Sequence, residues 1–115
     1  MSDETLRAEL RAKHGDECAA VERAKHGLFV FAKPTAVVYT RFRQKVTQKG
    51  VDSGAVTSQL CTDCLVYPTG PSGDPDYTRC SALFEAYPGL PDSIGAQLVK
   101  LAGAGDGDDV GVGKL

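Results

Sequence analysis

The 115-residue sequence has no tryptophan, one methionine and two histidines, and its 13 basic and 15 acidic side chains leave a net charge of only −2. Each scarcity excludes something. Near neutrality gives the whole chain no long-range pull toward nucleic acid or an anionic membrane. Four Phe and four Tyr, with no Trp, offer little for a base-stacking surface. The longest strongly apolar run, Leu28 to Ala32, falls far short of the roughly 20 residues that span a bilayer. The opening Met1-Ser-Asp-Glu-Thr-Leu6 is acidic and lacks the apolar stretch of a secretory signal. A cytosolic protein is therefore expected, with its four cysteines as thiols. His14 precedes a helix-ending glycine and His26 sits at a turn, and no Ser-His-Asp arrangement, paired-carboxylate motif or phosphate loop is visible. No catalytic residue is assigned and no cofactor is expected.

What is present reads as a single α+β domain over residues 1–102. A helix is predicted over 3–13, capped by Ser2 or Asp3, with Leu6 and Leu10 one turn apart and Gly15 as its stop. That apolar stripe is thin, so the helix is expected to lie on the surface of something else. Residues 17–33 predict a β-hairpin, with Glu17–Ala24 the weaker strand, Leu28–Lys33 the stronger, and Gly27 at the turn. Pro34 ends the second strand.

A bundle of about four short helices follows. Thr35 is placed to cap the first, over 36–48, where Val38, Phe42 and Val46 share one face. Asp52 or Ser53 opens the second, which runs to about 65 with Val56, Leu60 and Cys64 in a row. Pro68 to Pro75 is a loop. The third helix covers about 76–87, with Cys80, Leu83, Phe84 and Tyr87 on one side, before Pro88-Gly89 breaks it. Asp92 or Ser93 starts the last, which ends near 102. Residues 103–115 are a glycine-rich, acidic tail, expected to be mobile alone and able to become an arm against a partner.

Three features carry candidate function. Arg41, Lys45 and Lys49 recur every four residues and suit an acidic partner, although a row of charges is also the usual dress of a solvated helix face. Asp106, Asp108 and Asp109 give the tail its acidity. Cys61, Cys64 and Cys80, with Cys18 or a histidine, have the ligand chemistry of zinc, but only one short pair exists and it falls inside a predicted helix. Cys64 and Cys80 also occupy apolar rows where a small hydrophobe belongs. A thioredoxin-like role is disfavoured because the pair sits near a helix C-terminus, where the dipole opposes thiolate formation. Arg-Ala-Lys-His-Gly occurs at both 11–15 and 23–27, without matching flanks.

The order of these parts resembles small tail assembly chaperone-like proteins encoded in phage and prophage tail-gene clusters. The resemblance runs through Arg-Ala-Lys-His-Gly at 11–15, Phe-Ala-Lys-Pro-Thr at 31–35, Tyr39-Thr-Arg-Phe42, Asp63-Cys64-Leu-Val-Tyr-Pro68 and Phe84-Glu-Ala-Tyr-Pro-Gly-Leu90. It implies a non-catalytic protein of the host cytoplasm that engages the tape-measure protein until tail tube subunits replace it, and it leaves homo-oligomerisation open. The alternative is a permanent component of the tail and hence the virion, with 103–115 as an arm on a neighbouring subunit. A small zinc-binding module is a third reading.

Overall fold

The computed structural model describes residues 3–15, 17–103 and 113–114. Helix α1, Asp3–His14, ends on Gly15 at φ 83°, whose amide returns to the Arg11 carbonyl at 2.8 Å. Strands β1, Cys18–Arg23, and β2, Gly27–Ala32, form the expected antiparallel hairpin, pairing Cys18 with Ala32 through Arg23 with Gly27. The two copies of Arg-Ala-Lys-His-Gly share a local geometry. In each, a right-handed turn built on the arginine carbonyl closes on a glycine with φ near +84°, a region that only glycine enters freely. The pentapeptide thus ends a helix in one place and turns a hairpin in the other.

Alternation along both strands divides the hydrophobic interior. Ala19, Val21, Phe29 and Phe31 face one way, and Cys18, Ala20, Leu28 and Val30 the other. Both sets are buried, which explains why β2 is apolar without interruption: a strand covered on two faces has no polar side to show. Helix α1 covers the second face through Leu6 and Leu10, giving its thin stripe a physical purpose. The first face receives the remaining helices: α2, Ala36–Val46; α3, Ser53–Cys64; α4, Tyr77–Ala86; and α5, Leu90–Leu101.

Side-chain caps start three of these helices. Thr35 accepts from the Val38 amide, Asp52 from Gly54 and Ala55, and Asp76 from Arg79. Two of the boundaries that differ from the sequence reading move a named residue. Helix α5 begins at Leu90, before Asp92 and Ser93, because Pro91 in the first turn needs no amide partner and Asp92 then meets the positive end of the dipole. Helix α2 stops at Val46, so Lys49 lies in the following turn and leaves the Arg41–Lys45 row.

Two strands were not predicted. β3, Leu65–Tyr67, follows α3 directly and pairs with β2, ahead of a cis Tyr67–Pro68 bond. β4, Gly113–Lys114, pairs with Ala20 and Ala19 of β1, giving the order β3-β2-β1-β4. Residues 104–112 of the predicted tail, with Asp106, Asp108 and Asp109, lie outside the described residues. Among the described residues no helix is long and apolar enough to cross a membrane.

Candidate functional site

Cys61 and Cys64 lie on the last turn of α3 and Cys80 on α4, all within the core on the α3–α5 side of the sheet. Cys18 is on the opposite side, beneath α1, with its Sγ donating to the Gly15 carbonyl at 3.4 Å. The sheet therefore separates the fourth thiol of the zinc reading from the other three. Among the described residues no group of three or more His, Cys, Asp or Glu is placed to hold a metal ion.

Burial pushes the Cys61 thiol far up, with neighbouring Cys64, Cys80 and Asp92 adding to the effect. Burial and then Asp63 push Cys64 up to about 12, and burial pushes Cys80 up to about 11. Thiolate is the reactive form, so all three resist ionisation where they stand. Their folded values lie above the ordinary thiol value of 9, so the stability they contribute is complete below pH 9. It is lost as pH rises from there through 11 and 12, because the unfolded chain releases its protons first. Urea midpoints should accordingly hold level from pH 7 to about 8.5 and fall by pH 10.5. A thiol reagent at pH 8 should label the native chain only as fast as it opens, at least about a hundredfold slower than the unfolded chain. Rapid labelling of Cys61 in the native protein would contradict this burial.

The hairpin turn is tied to α4. The Arg79 Nη2 donates to the His26 carbonyl at 2.8 Å, the Arg23 guanidinium lies 5.3 Å from the Tyr87 ring centre, and the His26 ring meets Tyr87 edge-on at 5.9 Å. These contacts brace the fold and account for His26.

The surface of α2 is different in kind. It contains no buried residue; Val38 and Phe42 pack half-buried against the core, while Val37 is 67% exposed. An open hollow of about 390 Å³ runs along its outer side between Ala36, Val37, Thr40, Arg41 and Gln44. A second, of about 320 Å³, sits at its start against Lys33, Pro34 and Tyr39. Between α2 and α3 is a shallow cleft where Arg41 and Lys45 face Gln59 and Asp63. Among the described residues none of Arg41, Arg43, Lys45 and Lys49 makes an ion pair.

The sequence carried a signal for this surface in the distribution of charge, which the overall total concealed. Residues 23–51 hold seven Lys and Arg and no Asp or Glu, whereas 52–115 hold three basic against nine acidic side chains. A near-neutral chain is thus strongly divided, and α2 with its flanking turn carries most of the positive part. Arg43, absent from the row seen in the sequence, belongs to the same helix. No family model, curated protein or solved structure matches this chain.

Proposed function

We propose that this chain is a non-catalytic phage or prophage tail assembly protein, a chaperone that holds amphipathic stretches of the tape-measure protein during tail morphogenesis. The observation that supports it best is α2: a helix with no buried residue, an exposed valine and an open hollow along its outer side. Small apolar grooves of this kind bind a client helix weakly, and many copies along a long client add their effects. Weak individual contacts also let tube subunits displace the chaperone as the tube polymerises. The resemblance supplies the biological setting.

Co-expression with the long helical protein encoded in the same gene cluster tests the reading. The two should co-purify at low salt, and mature particles should lack this chain. Stoichiometric amounts in purified particles would favour instead a permanent tail component. One observation supports that second reading: Gly113–Lys114 adds a strand to its own sheet, and a neighbouring subunit's β1 would offer the same edge. Deleting 104–115 should then stop assembly while the melting temperature of the domain changes little.

A further inference from the structure

We infer that the outer side of α2 takes an acidic amphipathic helix of a partner protein, with the partner's apolar residues beside Val37 and its carboxylates on Arg41 and Lys45. This rests on the docking role proposed above for α2 and adds the chemistry of the client. Val37, Arg41 and Lys45 stand four residues apart on one helix, so about 6 Å of axial rise separates each from the next. Carboxylates four residues apart on a second helix have the same spacing and meet Arg41 and Lys45 together when the two axes run nearly parallel. An apolar residue one turn further along the partner then reaches the hollow between Val37 and Thr40. Arg41 lines both the hollow and the cleft between α2 and α3, and Lys45 lines the cleft, so the partner's carboxylates lie along the α3-facing edge of this surface while its apolar residues lie on the hollow.

The same features disfavour a nucleic acid. Val37 presents bare apolar surface where a phosphate backbone has no use for it. Tyr39 and Phe42, the aromatic side chains of α2, are half-buried, with ring centres 6.3 Å apart and planes tilted by 41°. A polyanion running from α2 toward α3 also meets Asp52 and Asp63. A single acidic helix, about the length of α2, avoids that repulsion.

The test uses the full chain and a fluorescent synthetic peptide of about 20 residues, long enough to be helical in water. It carries leucine on one face and glutamates four apart beside it. Controls are a scrambled peptide, a version with lysine for glutamate, and a thymidine oligonucleotide. The acidic helix should bind, and moderate salt should weaken it. Arg41→Glu with Lys45→Glu should lower affinity at least about tenfold, since two attractions become two repulsions. Val37→Ser should lower it about fivefold. Lys100→Glu, an exposed cation on α5, should leave it unchanged. No binding of the acidic helix would overturn the inference. So would equal binding of the scrambled peptide, the lysine peptide or the oligonucleotide, or indifference to the α2 changes. If the double reversal still captures the natural client, the face assigned here is wrong and the chaperone proposal stands. If the peptide binds as expected but no helical client co-purifies, that proposal fails and the face stands.

Discussion

Replacing Phe31 with alanine should cost about 3–5 kcal/mol of folding stability, the usual range for emptying a fully enclosed aromatic site. Phe31 has no exposed surface, belongs to the inner strand β2, and stacks on Phe84 of α4 with ring centres 6.4 Å apart and planes 13° from parallel. Its neighbours cannot close the space easily. The sheet holds them on one side through backbone pairing, and α3, α4 and α5 are held on the other by Leu60, Leu83, Ile94 and Leu98, each nearly or wholly buried. Domains of this size have only about 5–15 kcal/mol in total, so the variant should be close to its folding threshold. Urea unfolding should show a midpoint lower by more than about 1 M at an unchanged slope. Val37→Ala, on the open side of α2, is the contrast and should shift stability by less than about 0.5 kcal/mol. A Phe31 variant within about 1 kcal/mol of the parent would mean that the core is not packed as described.

Gly95→Ala should destabilise the protein although alanine is the better helix former. In an open helix the exchange gains about 1 kcal/mol. Here α5 and α3 approach so closely at Gly95 that an added Cβ would sit 2.5 Å from the Thr57 Cγ2. Thr57 cannot easily turn away, because its side chain is β-branched and its hydroxyl donates to the Ser53 carbonyl at 2.8 Å. One helix must shift, at an overpacking cost of about 1–3 kcal/mol. A net loss of about 1–2 kcal/mol is expected, and Gly95→Leu should be worse. Thr57→Ser removes only the obstructing methyl and keeps the hydroxyl. The pair Thr57→Ser with Gly95→Ala should therefore recover most of the loss, a coupling readable from a double-mutant cycle of thermal or urea unfolding. Additive effects of the two changes would show that this contact is not the cause.

Both sites bear on how far the sequence could be read. Phe31 stood out as part of the strongest apolar run, yet that run alone did not say which elements would cover its two faces. Leu6 and Leu10 contained the missing information, since two leucines one turn apart need a surface to lie on, and the sheet provides it. Gly95 gave no local sign at all: a glycine inside a helix reads as a weakness until Thr57, 38 positions earlier, is brought against it. β3 and β4 escaped notice for a related reason. Three residues and two residues are too short to show alternation, and their pairing depends on an edge that exists only after β1 and β2 have met.

The candidate docking face was partly visible. Arg41 and Lys45 were legible from their spacing, but Lys49 was placed on the wrong side of a helix end, and Arg43 was overlooked because it falls outside that spacing. The row of Val38, Phe42 and Val46 already left Val37 off the apolar face, but a valine beside that row could still have been covered by another element. Only the packed structure decides that nothing in the described chain covers Val37.

The sequence by itself determined the hairpin with Gly27 at its turn, the capped helix starts at Thr35 and Asp52, the helix stop at Gly15, and the α+β character of the chain. All of these depend on residues within a turn or two of one another, where steric limits and capping hydrogen bonds act without help from the rest of the molecule. Tertiary structure alone decided which helices cover each face of the sheet, the separation of Cys18 from Cys61, Cys64 and Cys80, and the apolar and basic surface that α2 leaves uncovered. Those outcomes depend on which distant side chains compete for the same buried space, and burial is a property of the whole packed chain, not of any one segment of it.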